Sequence, residues 1–535
     1  MNEIKLVIAL LKLVAQLIWL LVRGIAALAK WTFQVMRPKP VLARRPPPLA
    51  ATDPGTAAPR PRRAGPDEAE RRRGLGRALA AIERRAAALA TLAGLERPNR
   101  RFQDALTSYV PATVGGVRAE LVRASSTSVG VPRAVTSLEL VLDEIEQLMR
   151  QRRDPVLAGA LGDADQLADA CYEPIIAFAR AKNLPLTSGY PATQLGDFQL
   201  SIWTGFNPTS IAPIFLPRDF FTRVAWWPAL GHEIGHDFLA SVAGLDYKLR
   251  VELGLPSEDV GSRPLQLDPD GFKLGELHRL FGGWFEELFC DVFGTMMSGP
   301  SYVATMHTLF AASEDVREVL LVETTQSGSY DPHPPRHLRF LAGCRVLERA
   351  GLDAEARRLR GSWEARHTAA GRGPDRLLVP MRHGVLALPL EPFIRKLETI
   401  VDRLYAGPLD ALGGFGLQGV SGLDYGPHEH AEGQRAKAAL LRSAVPTVRD
   451  PRAVIAGAVL AALERPDLEP RILQHARAAI PAMGTGEQRP DAYAVTAGAG
   501  PRPDHTELVE AIALREILST PRARGRRPLV LRRGL

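Results

Sequence analysis

The chain of 535 residues is poor in cysteine, histidine and aromatic side chains. Its three cysteines, Cys171, Cys290 and Cys344, are odd in number and far apart, so neither a disulfide framework nor a cysteine-type zinc site is expected. Reduced cysteines in a cytoplasmic protein are the favoured interpretation. No internal repeat is visible, and no motif that reads nucleic acid is present, so nucleic-acid binding is not expected.

The central part of the chain has little net charge. The net charge is +8, and much of it lies near residue 60 and in the last 14 residues. This distribution favours contact with an anionic membrane or another acidic surface over a basic core domain. The hydrophobic content of 46% is normal for a folded protein, and the length suffices for two to four domains and a sizeable core.

The N-terminal segment, residues 4–36, is strongly apolar, but it lacks a charge-free run long enough to cross a bilayer easily. The longest such run is residues 13–22, between Lys12 and Arg23. Its polar residues form one narrow stripe on a helix, which favours a helix lying in the membrane interface. A true span and an oligomerising or core-docking helix are the alternatives. The many arginines that follow predict that the rest of the chain stays on the cytoplasmic side of the inner membrane.

Composition and periodicity divide the chain into six predicted regions. Residues 37–66 hold nine prolines, which is typical of an extended, disordered tether. Helical spacing predicts helices over residues 67–97, 134–152 and 165–182. The regions are 1–36, an amphipathic or membrane-anchoring helix; 37–66, a Pro/Arg-rich disordered linker; 67–197, a helical N-terminal lobe; 198–345, a catalytic core; 346–520, a helical C-terminal region; and 521–535, a basic tail.

The most informative motif is His232-Glu233-Ile234-Gly235-His236, which has the pattern H-E-x-x-H. Residues four apart lie on one face of a helix, so both imidazoles can bind one tetrahedral zinc ion. Glu233 lies beside them and can act as general base on the attacking water. The alternative is an ordinary helix with two structural histidines and a solvated glutamate.

A second segment supplies candidates for the third protein ligand that a catalytic zinc site needs. Residues 283–294 are apolar on both sides of their acids, which predicts a buried helix. Glu287 and Asp291 are four residues apart and share a face. Glu287 is therefore the preferred ligand, and Asp291 is expected to accept the ring N–H of His232. Glu286 stays open as the rival third ligand.

These two segments together resemble the gluzincin metallopeptidases, the broad class that includes thermolysin, because H-E-x-x-H is followed by E-x-x-x-D. His333, the two prolines after it and Arg339 resemble the H-P-P-x-x-x-R segment of membrane-associated gluzincins, such as the HtpX-like and prenyl-protein-processing peptidases. The resemblance covers about residues 200–345. It implies a mainly α protein of the α+β class, with a zincin-like core and a small sheet beside the H-E-x-x-H helix.

The resemblance also implies an activity, that of a zinc-dependent endopeptidase acting on a protein or peptide. His232, His236 and Glu287 would bind zinc, and Glu233 would take a proton from the attacking water and pass it to the leaving amine. A zinc-dependent hydrolase of non-peptide amides and a catalytically idle, membrane-tethered zinc scaffold are the alternatives. An intact Glu233 argues against the scaffold, because a structural site has no need of a base.

The donor that stabilises the oxyanion is left open among four residues. The candidates, in order of preference, are His333, Arg339, Tyr302 and Tyr330. His333 and Arg339 come first because the corresponding segment borders the active site in the resembling peptidases. No oligomeric state is indicated.

Extended segments and loops complete the predicted core. Residues 198–203 and 211–217 are candidate strands, and either could be the edge that binds a substrate backbone. The 50 residues between His236 and Glu287 are more than in thermolysin, so residues 241–280 are predicted to be an inserted loop. Residues 428–430, His-Glu-His, are interpreted as a solvated loop rather than a metal pair.

Overall fold

The computed structural model describes the chain between Pro66 and Ile480, apart from short gaps. The gaps are residues 97–98, 100–101, 124–129, 185, 187, 197–199, 203–209, 243, 257–266, 269–270, 273, 311–315, 325–329, 369–373, 382–383 and 449. The predictions for residues 1–36, for nearly all of the linker and for the basic tail therefore lie outside the described residues. Of the helices that are described, none is both long and apolar enough to cross a membrane.

A helical bundle comes first, as the periodicity of its sequence predicts. It consists of α1 (Pro66–Leu95), a π-helical turn (Ala105–Tyr109), α2 (Val110–Arg123) and α3 (Gly130–Arg153). Side chains at helical spacing on α3, such as Leu138, Leu142 and Ile145, are buried against α1 and α2. The predicted helices over 67–97 and 134–152 are thus confirmed, with ends that differ by a few residues.

A small sheet follows the bundle and the next helix. These elements are α4 (Ala158–Ala181), β1 (Ser188–Leu195), β2 (Ser201–Ile202) and β3 (Ser210–Leu216). The strand order is β1-β3-β2, with β1 parallel and β2 antiparallel to β3. β3 is therefore the middle strand, and of the two candidate edges only β2 lies at an edge. The sequence did not predict β1, because Gly189 and Pro191 are strand breakers that only an edge position tolerates.

The central helices carry the candidate site. They are α5 (Ala229–Ser241), α6 (Leu245–Glu252), α7 (Leu274–Ser298), α8 (Pro300–Phe310) and α9 (Val316–Leu320), with the short hairpin β4 (Leu267–Asp268) and β5 (Gly271–Phe272) before α7. The prediction of a loop over residues 241–280 is wrong in part, because α6 and the first turns of α7 are helical. Leu245 and Leu249 bury one face of α6, and this packing overrides the surrounding Gly and Pro signals.

The C-terminal part is mainly helical, as predicted, but it contains a hairpin that the sequence did not predict. Its elements are α10 (Arg336–Arg349), α11 (Asp353–His367), β6 (Arg376–Met381), β7 (Gly384–Pro389), α12 (Glu391–Ala406), α13 (Pro427–Leu441), α14 (Pro451–Glu464) and α15 (Glu469–Ala479). The prediction of a loop at residues 428–430 is wrong, because they form the first turn of α13. The carboxylate of Glu429 accepts the N–H of Gly426 at 3.0 Å and caps this helix.

Two apolar clusters hold these elements together, and the sheet lies between them. The smaller cluster fills the bundle and includes Ala192 of β1 and Ile211 of β3. The larger cluster runs from α4 to α15 and includes Ile214 and Leu216 of β3. The described chain is mainly helical with a small sheet, which confirms the predicted fold class at this level.

Candidate metal centre

Helices α5 and α7 approach each other closely because glycine lies where they meet. A Cβ atom on Gly235 of α5 would lie 3.1 Å from the Cα atom of Cys290 on α7. A Cβ atom on Gly231 would lie 3.3 Å from the Cα atom of Gly294. Both distances are tighter than ordinary side-chain contacts, so the two glycines allow the backbones to come together. The side chains that flank the glycines on α5 are then directed at the same face of α7.

His232 and His236 of α5 meet Glu287 of α7 in a buried group that can hold a metal ion. The Nε2 atoms of the two histidines lie 3.3 Å apart. His232 Nε2 lies 3.4 Å from Glu287 Oε2, and His236 Nε2 lies 3.7 Å from Glu287 Oε1. The three residues are 8%, 4% and 2% exposed, so water can approach the donor atoms from few directions. Among the described residues, this is the one group of its kind.

The other ring nitrogen of each histidine faces a carboxylate on α7. His232 Nδ1 lies 3.1 Å from Asp291 Oδ1, and His236 Nδ1 lies 2.9 Å from Glu286 Oε1. An acid that accepts the Nδ1–H fixes the tautomer that leaves Nε2 free to bind a metal. Glu286, the rival ligand in the sequence, thus lies on the outer side of His236, whereas Glu287 faces both Nε2 atoms.

Asp291 is the centre of a buried polar network behind His232. It accepts two hydrogen bonds from Arg339 of α10, from Nε and Nη2, each at 2.7 Å. It also accepts a 2.7 Å bond from the hydroxyl of Tyr302 on α8. Burial raises the pKa of Asp291, but the charge and hydrogen bonds of Arg339 and the contact with His232 lower it to about 2. Asp291 is therefore a carboxylate at any physiological pH.

Arg339 and Tyr302, two of the predicted oxyanion donors, lie beside Asp291. The guanidinium of Arg339 donates to Asp291, lies 3.6 Å from Glu287 and lies over the ring of Phe310. The hydroxyl of Tyr302 lies 3.1 Å from His232 Nδ1, on the side of the ring that faces away from the donor group. Both side chains thus contact the network behind His232, and a role as oxyanion donor stays a prediction for each.

His333 lies on the donor side of the centre. Its Nε2 is 3.1 Å from Glu287 Oε1, and its Nδ1 is paired with the carboxylate of Asp331, which also accepts the backbone N–H of His333 at 3.0 Å. Burial lowers the pKa of His333, but Glu287 and Asp331 raise it to about 9. Without a bound metal His333 is thus a cation at neutral pH, and its charge helps to hold the pKa of Glu287 well below its usual range against the effect of burial.

Glu233 lies at the edge of the sheet. Its Oε2 accepts the backbone N–H of Ile202 on β2 at 3.0 Å, and the residue is 7% exposed. Oε1 makes no hydrogen bond to any residue that the structure describes, so it can accept a proton from water. The H-E-x-x-H helix is therefore connected directly to the edge strand.

Tyr330 lies in the segment before His333. Its backbone bridges to Thr324, the N–H of the next residue, Asp331, is bonded to the carbonyl of Glu323, and its ring packs against the larger apolar cluster. The structure thus places Tyr330 at the base of the segment that carries His333. A role in substrate binding stays a prediction.

Three features of the centre were missed from the sequence. Asp331 stands two residues before His333, and an acid so close to a histidine was a usable signal. The G-x-x-x-G spacing of Gly231 and Gly235 around the motif was visible as well. The contact between Glu286 and His236 could not be predicted, because it depends on how α7 is rotated against α5.

No model of a known protein family matches the chain, and neither a curated protein nor a solved structure matches it significantly. The geometry of the centre therefore has to carry any functional conclusion.

Proposed function

We propose that the chain is a zinc-dependent metallopeptidase with a gluzincin-type site. The observation that carries the proposal is the spacing of the three donor atoms. In a tetrahedral site with bonds of about 2.0–2.2 Å to zinc, neighbouring ligand atoms lie about 3.3–3.6 Å apart. The two Nε2 atoms lie 3.3 Å apart, and each lies near a different oxygen of Glu287, at 3.4 Å from Oε2 for His232 and 3.7 Å from Oε1 for His236, which is close to this spacing. Two imidazoles and one carboxylate are also the ligand set of many catalytic zinc sites, in which a fourth position is left for water.

The surrounding residues support a catalytic rather than a structural zinc. A structural site is closed by four protein ligands, whereas this group has three. When bound, zinc would lower the pKa of water and polarise a carbonyl group. Glu233 would accept the proton of the attacking water on Oε1 and later transfer it to the leaving amine. Asp291 and Glu286 would hold the two imidazoles in the binding tautomer.

His333 is the best candidate for contact with the oxyanion. Its Nε2 lies beside Glu287 at the donor group, and Asp331 fixes the ring through Nδ1. The N–H that donates to Glu287 could be shared with a developing negative charge, since a hydrogen bond to charge strengthens as the charge grows. Asp331 would keep the imidazole oriented and protonated during this step.

Peptide substrates are favoured over other amides by the position of β2. An extended peptide can add to an exposed sheet edge through backbone hydrogen bonds. β2 is an edge strand of the described sheet, it is half-buried, and its Ile202 donates the backbone N–H to Glu233. A peptide paired with β2 would run past the proposed base, which places its carbonyl groups near the reacting water.

The test combines metal analysis with proteolysis profiling of the full-length chain. We expect about one zinc per chain, and loss of most of it in His232→Ala, His236→Ala and Glu287→Ala. Glu233→Gln should keep zinc and lose cleavage by about 10²–10⁴-fold, because the amide cannot accept the proton. Glu139→Gln, an exposed change on α3, is the matched control and should behave as the wild type.

The other outcomes separate the alternatives. Normal zinc content in both histidine variants would contradict the proposal at its base. Zinc with hydrolysis of small amides but not of peptides would identify an amidohydrolase. Zinc without any Glu233-dependent hydrolysis would identify an idle scaffold. Cleavage that persists at the wild-type level in Glu233→Gln would have to come from another site.

A further inference from the structure

Helix α1 has a row of exposed arginines on the face that points away from the bundle. At 100° per residue, Arg73, Arg77 and Arg84 lie within an arc of about 40°. All three are exposed, and none of them makes an ion pair or hydrogen bond with any residue that the structure describes. Leu95, at the end of the helix, falls in the same arc and is 77% exposed. We call these four residues the α1 stripe.

Two other arginines of α1 behave differently. Arg72 is paired with Glu68, and Arg85 is paired with Asp143 and Glu146 of α3. These pairs lie where α1 meets its neighbours or along its flank, and they neutralise the charge there. The α1 stripe therefore keeps its positive charge in a region where the neighbouring basic residues have acidic partners.

The side chains around the α1 stripe on this helix are mostly short, and almost none of them is acidic. Alanines fill the positions between and beside the arginines, namely Ala80, Ala81, Ala87 and Ala88. Short side chains let a helix approach a flat surface closely, while arginine stems can extend along it. Glu70 is the one acid that borders the stripe, at its N-terminal end.

We propose that the α1 stripe docks on an anionic membrane surface. Three unpaired guanidinium groups in a row complement lipid phosphates and anionic headgroups, and Leu95 can enter the interface at the end of the row. The chain itself points to this partner, because the apolar segment predicted to contact membrane, residues 4–36, is covalently joined to α1. The connection from residue 37 to residue 65 can span at most about 100 Å, so a membrane-held N-terminus keeps α1 at high effective concentration near the same leaflet.

The experiment uses the full-length chain and vesicles of phosphatidylcholine with and without phosphatidylglycerol. The test variant is Arg73→Gln/Arg77→Gln/Arg84→Gln. The control is Arg357→Gln/Arg442→Gln/Arg471→Gln, which removes the same charge from exposed arginines without a partner among the described residues. Each basic residue near an anionic leaflet contributes roughly a fivefold change in binding, so the test variant should bind the anionic vesicles at least about tenfold more weakly at low salt.

The controls make the result specific. We expect less than about a twofold change for the control variant, equal binding of all forms to the neutral vesicles, and loss of the difference at high salt. Equal losses in the test and control variants, or a loss that appears on neutral vesicles too, would overturn the proposal. So would a test variant that keeps its affinity for vesicles and loses affinity for RNA, which would make the stripe a nucleic-acid surface.

A second measurement does not depend on the triple variant. Because Cys171, Cys290 and Cys344 are buried, a Leu95→Cys chain can be labelled at position 95 with an environment-sensitive dye. The emission should shift to the blue on anionic vesicles. A matched Val156→Cys chain, labelled at another exposed apolar position outside the α1 stripe, should show no shift. A shift at residue 156 without one at residue 95 would contradict the docking face.

Discussion

Two buried arginine–aspartate pairs, Arg152–Asp165 and Arg339–Asp291, have hydrogen bonds of similar length and different further partners. Arg152 Nη2 donates to both carboxylate oxygens of Asp165 at 2.9 and 2.8 Å. Arg339 donates to Asp291 from two nitrogens at 2.7 Å each. In each pair the guanidinium also lies over a phenylalanine ring, with its Cζ atom 5.2 Å from the ring centroid in the first pair and 5.5 Å in the second.

The remaining partners of the two aspartates differ in whether they belong to the candidate metal centre. Asp165 accepts the N–H and the hydroxyl of Thr193 on β1, both at 2.8 Å, so its network ends in the backbone of the sheet. Asp291 accepts the hydroxyl of Tyr302 and faces His232, whose other nitrogen belongs to the donor group. A buried ion pair is therefore no sign of a functional site by itself. What matters is the group to which the hydrogen bonds of the pair lead, which is the sheet backbone for Asp165 and His232 for Asp291.

Asp165→Asn should have the largest effect, and on stability alone. Among the described residues Asp165 is the only carboxylate paired with Arg152, so the variant leaves a buried cation without an opposite charge. Removing one partner of a buried pair typically costs about 3–5 kcal/mol of unfolding free energy. Denaturant unfolding gives the loss, and zinc bound per folded chain should not change. A fall in zinc affinity of the folded fraction would mean that the two networks are coupled.

A pH titration of the metal-free protein distinguishes a buried neutral group from these pairs. His337 on α10 accepts the indole N–H of Trp363, and burial, with His367 and Arg360, lowers its pKa from 6.5 to about 4. As the pH falls, the unfolded chain takes up this proton before the folded chain does. The contribution of neutral His337 to the free energy of unfolding is therefore complete above about pH 6.5. It is lost between pH 6.5 and 4, and the loss amounts to up to about 3 kcal/mol. His337→Gln should flatten the profile in this window, and an unchanged slope would contradict the assignment.

Asp291→Asn should mainly affect zinc affinity, whereas Asp165→Asn should mainly affect stability. The amide disturbs the support of His232, which typically weakens metal binding by about 10–100-fold. The stability loss should be smaller than for Asp165→Asn, because Arg339 keeps Glu287 at 3.6 Å as a second negative partner. Competition with a chromophoric chelator measures the zinc affinity. Equal stability losses and unchanged zinc affinity in the two variants would remove the distinction between the networks.

Removal of one hydroxyl from each network gives the smallest and most closely matched test. Tyr302→Phe deletes one bond to Asp291, and Thr193→Val deletes one bond to Asp165. Each should cost about 1 kcal/mol of stability. Only Tyr302→Phe should also lower zinc affinity, by about two- to fivefold, because only its partner supports a histidine at the donor group. A fall in zinc affinity in Thr193→Val but not in Tyr302→Phe would show that Asp165, and not Asp291, supports the metal centre.

Local spacing could be predicted from the sequence, and contacts between distant segments could not. The face shared by His232 and His236 follows from helical periodicity, as do the helices of the bundle. Strand β1 pairs with β3 across a separate segment of chain, and Gly189 and Pro191 within it are contrary signals. The hairpin of β6 and β7 is a local pairing, but its residues signal it only weakly. The positions of Arg339 and Tyr302 could not be predicted either, because the sequence does not tell which side of His232 they approach. Their roles as oxyanion donors stay predictions.

The direct packing of α5 on α7 has a consequence for the spacing of the two motifs. The donor group is built from these helices alone, and residues 242–273 between them contribute no donor among their described members. The entropy of closing a flexible connection grows only with the logarithm of its length, so doubling it costs about 0.6 kcal/mol. Chain entropy therefore restricts the number of residues between H-E-x-x-H and E-x-x-x-D only weakly, and the packing of Leu245 and Leu249 on α6 is what fixes this connection. Two helices that meet over Gly231 and Gly235 define the centre, whatever the length of chain that joins them.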